Sequence, residues 1–154
     1  MSIAASDESR VVREESWVQL ARTIAQTAHH GQFRRDGATP YVRHPEAVAQ
    51  RVAGDRLAEA VAWLHDVLED TSTTEADLRT AGLPSEVVDA VCLLTKREPF
   101  DYEVYLLAVR ENPLARKVKI ADMLANLADH PTDRQIIKYA KGLLALVPAD
   151  TSVT

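Results

Sequence analysis

The chain has 154 residues and a formal net charge of −5, a balance that argues against a general nucleic-acid binder or a membrane-surface protein. A nucleotide is still allowed as a small-molecule partner, because a metal and a few local cations can offset its charge. The length suits one domain with a proper core, and 46% apolar residues with only five glycines favour helices over a β-sandwich.

In chain order, residues 1–13 read as a flexible N-terminus, small and polar, with no basic region ahead of an apolar run and hence no secretory signal. The domain proper is expected over residues 14–147. Its first helix runs from about Glu14 to His29 and stops at Gly31. A loop punctuated by Gly and Pro follows from Gln32 to Arg43, and Pro45 opens a short helix that ends near Gly54. The central helix spans about Arg56 to Leu68. Thr74 to Asp77 has capping-box spacing, with Asp in place of Glu, and starts a short helix ending at Gly82. Pro84 starts the next helix, to about Thr95. Asp101 caps another that reaches Asn112, Pro113 begins the helix carrying Asp122 and Asn126, and the last covers about Asp133 to Val147. Residues 148–154 read as a flexible C-terminus. No strand-like alternation is sustained, so the fold class is all-α, a single-domain helical bundle. No apolar run reaches membrane-spanning length, and the lone cysteine, Cys92, sits in an apolar run where a core thiol is expected. A cytoplasmic location follows from these readings; homo-oligomerisation stays open.

The segment Leu64-His65-Asp66-Val67-Leu68-Glu69-Asp70-Thr71 concentrates the chemistry. At helical spacing His65 precedes Glu69 by one turn and Asp66 precedes Asp70, so all four share one side, with Leu57, Val61, Leu64 and Leu68 on the other. A merely solvated face would scatter Lys and Glu. Two outlying elements supply further donors: His44, in Pro40-Tyr41-Val42-Arg43-His44-Pro45, and Asp122, in Val118-Lys119-Ile120-Ala121-Asp122. Two imidazoles and two carboxylates form a mixed set suited to Mn2+, Fe2+ or Zn2+. For His44 the rival reading is a histidine beside a helix start, and for Asp122 it is a carboxylate paired with Lys117 or Lys119.

These motifs, with Ala28-His29-His30-Gly31-Gln32-Phe33-Arg34-Arg35-Asp36-Gly37, Leu94-Thr95-Lys96 and Asn126, resemble in their order the HD-domain metal-dependent phosphohydrolases. Within them the chain looks most like the (p)ppGpp hydrolase domains of RelA/SpoT proteins and their stand-alone small counterparts, over roughly residues 16 to 146. The resemblance implies His44, His65, Asp66 and Asp122 as metal ligands, with manganese the usual ion. Glu69 and Asp70, following the ligands on the same face, are expected as the catalytic acid/base pair. Arg34 and Arg35, on the loop leading to His44, and Lys96 are expected to bind substrate, as is Asn126, whose position the family uses near the nucleotide. His29 reads as a packing or supporting histidine rather than a ligand. The implied reaction is removal of a 3′-diphosphate from (p)ppGpp. A 5′-nucleotide phosphomonoesterase and a nucleotide sensor of weak turnover are the rival readings.

The chain departs from the family after the last ligand. Met123, Ala125, Ala128 and Asp129 stand where alarmone hydrolases usually have Arg, His, Arg and Thr, and Asp36 replaces a small hydroxyl residue. Asp36 and Asp129 are expected to confront the substrate with carboxylates and weaken binding of a polyphosphate.

Overall fold

The structure, a computed structural model, describes residues 2–147. It is all-helical: α1 Ser2–Ala28, α2 Arg43–Arg51, α3 Arg56–Leu64, α4 Val67–Asp70, α5 Glu75–Thr80, α6 Ser85–Leu94, α7 Tyr102–Glu111, α8 Pro113–Leu127 and α9 Asp133–Leu146. The only pairing outside helices, among the described residues, is an isolated bridge between Phe33 and Pro40 that closes the loop before α2.

Most punctuation read from the sequence is used as such. Asp55, Asp101 and Asn112 each accept a hydrogen bond from the backbone N–H three residues on, capping α3, α7 and α8. Thr74 with Asp77, and Thr132 with Gln135, form reciprocal capping boxes at α5 and α9. Gly31 and Gly82, at φ +81° and +97°, supply the left-handed residues that let the chain leave α1 and α5.

Two boundaries differ from the sequence reading. Helix α1 begins at Ser2 rather than Glu14, so residues 2–13, expected to be flexible, are helical. Good helix formers and an Arg10–Asp7 ion pair of 2.7 Å carry it beyond its packed part, which starts near Val18. The expected flexible segment 148–154 lies outside the described residues.

The second difference bears on function. The central helix does not run on to Leu68 but breaks at His65 and Asp66, between α3 and the single turn α4. His65 Nδ1 lies 2.7 Å from the Ala62 carbonyl, the acceptor that the Asp66 N–H would take in an unbroken helix. The break is a two-residue corner whose backbone stays right-handed helical, and His65, Asp66, Glu69 and Asp70 all still line one cavity. Helix α3 does not keep one wet face: Ala58 to Leu64 are all buried, because α1, α2, α6 and α8 surround it. Val18, Ala21 and Ala25 of α1 present a small-residue stripe to it, which lets the two helices approach closely. Buried Glu59 is satisfied at the edge by the Gly54 N–H and Arg56.

Leu64 is fully buried in this central helix, directly before the corner. Leu64→Ala should lower the unfolding free energy by about 3 kcal/mol, within the usual range for a large-to-small core change. Urea denaturation checks this, and a loss under about 1 kcal/mol would mean that the core is not organised around α3.

Candidate metal centre and active-site cavity

Three helices deliver the donors to one place. His44 comes from the first turn of α2, His65 and Asp66 from the corner after α3, and Asp122 from the middle of α8. His44, His65 and Asp122 are all buried, and their donor atoms lie within 4.8 Å of one another. His44 Nε2 is 2.8 Å from Asp122 Oδ1, and His65 Nε2 is 3.4 Å from the same oxygen. Asp66 Oδ2 adjoins them, 3.0 Å from His65 Nε2 and 4.0 Å from His44 Nε2. All four residues expected as ligands are thus brought together despite the broken helix.

The chemistry of the set fits a divalent metal. His65 donates its Nδ1–H to the Ala62 carbonyl, which fixes the tautomer and turns Nε2 toward the carboxylates. That Nε2 is buried and has no hydrogen-bond partner, as a ligand nitrogen would be in the absence of its ion. Burial alone would push the imidazole's pKa down, yet Asp66 and Asp122 hold it well above its usual value. A buried and a half-buried carboxylate around two buried imidazoles call for positive charge at this point.

The ligands are held from behind. Asp122 Oδ2 accepts a 2.9 Å bond from the buried Lys119 ammonium, while Asn126 Nδ2 donates to Oδ1 at 3.1 Å. Burial works against both charges, but Lys119 and the two histidines keep Asp122 far below the carboxylate range, and Asp122 in turn keeps Lys119 charged. The pairing of Asp122 with Lys119, weighed as a rival to ligation, instead leaves one carboxylate oxygen facing the imidazoles. Lys117, the other cation weighed, bonds Asp55. Asp66 Oδ2 accepts a 2.6 Å bond from the Tyr41 hydroxyl, whose own ionisation is suppressed by burial and by the nearby carboxylates.

Glu69 and Asp70, on α4, are more exposed and line the same cavity, which has a volume of about 190 Å³. Glu69 Oε1 accepts the Lys96 N–H at 2.7 Å. Burial, then the charges of Asp66 and Glu69, raise the Asp70 carboxyl's pKa. His29 is buried in a supporting position, as expected: its Nδ1 meets Gln32 Oε1 at 2.8 Å, and Gln32 Nε2 donates to the Asp70 carbonyl at 2.8 Å.

Of the residues expected to bind substrate, Arg34, Lys96 and Asn126 line this cavity, whereas Arg35 lines an adjoining depression with Asp36, Asp129 and Tyr139. The structure corrects one expectation here. Asp36 does not confront the cavity, because its carboxylate accepts from the Ala38 and Thr39 N–H groups and the Thr39 hydroxyl, closing its own loop. Those bonds lower its pKa to about 2. Asp129 acts through Arg34, to which it is paired at 3.1 Å. Met123 is fully buried, with its terminal methyl lying against Gly142, so it makes an apolar helix contact.

Sequence reasoning passed over Tyr41, Tyr102 and Lys138, which also line the cavity. Tyr41 had a local signal, standing one turn before His44. The other two come from α7 and α9, and only tertiary packing brings them in.

Fold and site together define an all-helical domain of the HD type with a buried His/His/Asp group able to hold a divalent metal. The chain belongs to the family of the SpoT and MESH1 (p)ppGpp 3′-pyrophosphohydrolases. It is 37% identical over 120 residues to the human guanosine-3′,5′-bis(diphosphate) 3′-pyrophosphohydrolase MESH1, covering 71% of this chain and 66% of that protein. It is 38% identical over 117 residues to the Haemophilus influenzae protein of the same activity, covering 68% of this chain but only 17% of that one. The Escherichia coli bifunctional (p)ppGpp synthase/hydrolase SpoT matches at 32% over 123 residues, covering 71% of this chain and 17% of that protein. The chain thus spans about a sixth of its bacterial relatives. The solved structure of a metazoan SpoT ortholog that hydrolyses ppGpp superposes with a TM-score of 0.70 at 25% identity, over 88% of each chain. No family model matches. Among the described residues no helix is long and apolar enough to cross a membrane.

The loop carboxylate offers a direct check on this geometry. With a native pKa near 2, below the ordinary 3.8, Asp36 supports the loop above the ordinary value and loses that role as pH falls through about 2. An NMR titration should find that depressed value, and Asp36→Ala should speed amide exchange at Ala38 and Thr39. An ordinary Asp36 pKa would show that the loop is not closed this way.

Proposed function

We propose that this chain is a divalent-metal-dependent phosphohydrolase that removes the 3′-diphosphate of (p)ppGpp. The observation that carries the reading is the convergence of His44, His65, Asp66 and Asp122 on one cavity that also holds two further carboxylates and several cations. In this reading those four hold the metal. Manganese is the lead candidate, as a mixed imidazole and carboxylate set accommodates it, with iron and zinc the alternatives. A bound divalent ion would lower the pKa of water and offset charge on a phosphoryl oxygen.

The remaining steps belong to side chains. Water adds to the phosphorus next to the ribose, the bond from that phosphorus to O3′ breaks, O3′ takes up a proton, and diphosphate leaves with the water oxygen. Glu69, held by the Lys96 N–H, suits removal of the proton from water. Asp70, with its raised pKa, suits its delivery to O3′. Arg34, Arg35, Lys96 and Asn126 bind the nucleotide and its phosphates. Arg34 is only partly available for this, because Asp129 holds it. That pair supports weaker (p)ppGpp turnover than the family norm, and it is the observation that keeps the sensor reading in view.

The test is a manganese-supplemented assay of ppGpp beside nucleoside mono-, di- and triphosphates, with product identification. Pyrophosphate from ppGpp is expected; orthophosphate from a 5′-nucleotide would favour the phosphomonoesterase, and binding without turnover the sensor. Asp66→Ala should remove metal and activity together, as measured by metal analysis and rate. Glu69→Gln should keep the metal and slow turnover by about 10²–10⁴-fold. Asp129→Thr should free Arg34 and lower the KM for ppGpp by up to roughly fivefold, the worth of an exposed ion pair. An unchanged KM would remove Asp129 from substrate selection.

A further inference from the structure

We propose that Lys138, together with Lys96, seats the outer phosphoryl group of a diphosphate ester and so selects diphosphate over monophosphate at this site. The inference rests on the hydrolase reading above and concerns which substrates that site prefers. Four cations line the cavity, and two are already matched: Arg34 by Asp129 at 3.1 Å and Lys119 by Asp122 at 2.9 Å. Lys96 and Lys138 have no carboxylate within 4.0 Å among the described residues.

Each ammonium instead lies against aromatic rings. Lys138 Nζ is 5.5 Å from the ring centres of both Tyr102 and Tyr139, and Lys96 Nζ is 5.9 Å from that of Phe100. Such contacts fix where a cation sits while leaving its N–H donors for an anion. Burial, Lys96 and Lys119 all act against the charge on Lys138 and lower its pKa, a conflict that an anion between the lysines would relieve. Tyr102 also packs behind this part of the cavity, its hydroxyl lying beside Gly142. Two ammoniums without a carboxylate partner, lining the cavity that also holds the candidate metal ligands, suit an oxyanion rich in acceptors. A diphosphate whose inner phosphoryl lies at the ligand group has its outer phosphoryl left to bind; a monophosphate has none.

The first test is lysine acylation of the unsubstituted protein as purified, without added metal, read by mass spectrometry. Saturating pyrophosphate should protect Lys138 and Lys96 at least about threefold more than orthophosphate does, while Lys141, exposed on the same helix, labels equally throughout. Equal protection by the two anions, or none at Lys138, overturns the proposal. The second test compares kcat/KM for a nucleoside 3′-diphosphate with that for the 3′-monophosphate. Lys138→Ala should narrow that ratio by at least about tenfold, and Lys138→Arg should restore most of it. An equal loss on both substrates would make Lys138 structural and also overturn the proposal. Labelling needs no turnover, so failure of the hydrolase reading would show separately, as an unsubstituted protein that hydrolyses neither ester.

Discussion

The Asp122 carboxylate is the point on which the site turns. It is buried in the middle of α8, where a lone charge would be prohibitively costly, and it is stabilised only because several donors converge on it. His44 reaches it from α2, His65 from the corner after α3, and Lys119 from its own helix. Removing any one donor leaves charge uncompensated in the interior. The same network ties α2 and α3 to α8, so the bundle and the metal-ligand group are a single construction.

The broken central helix serves that construction. At the corner the bond from His65 Nδ1 to the Ala62 carbonyl turns His65 Nε2 toward both Asp66 and Asp122. In α4 Val67 stays in the core while Glu69 and Asp70 are exposed, beside the buried His44, His65 and Asp122. Buried donors suit a tightly held ion, and half-open carboxylates suit proton exchange with water.

Much of this was legible in the sequence, because the signals were local. Capping residues, helix-opening prolines and stop glycines located nearly every helix, and the spacing of His44, His65-Asp66 and Asp122 matched a known order of motifs. The break at His65 was not legible, since Val61 to Leu68 keeps helical periodicity and the interruption comes from a side chain bonding a carbonyl. The helical stretch from Ser2 was missed for the opposite reason: its polarity suggested fraying, but good helix formers continue a helix already nucleated by packing further on. Asp36 was misjudged because a carboxylate in a loop reads the same whether it faces a ligand or its own backbone. Lys138 left no signal in the sequence.

The departures after Asp122 leave the candidate ligand group itself unchanged. Met123 packs into the bundle, Asp129 occupies Arg34, and the cations left unmatched are lysines from two other elements. The central claim is that one ion is shared by residues of α2, the α3–α4 corner and α8. Anomalous scattering from crystals soaked in manganese tests it most directly. The account predicts one strong peak within coordinating distance of His44 Nε2, His65 Nε2 and a carboxylate oxygen of each of Asp66 and Asp122. A peak elsewhere, or one that leaves His44 outside coordinating distance, would contradict it.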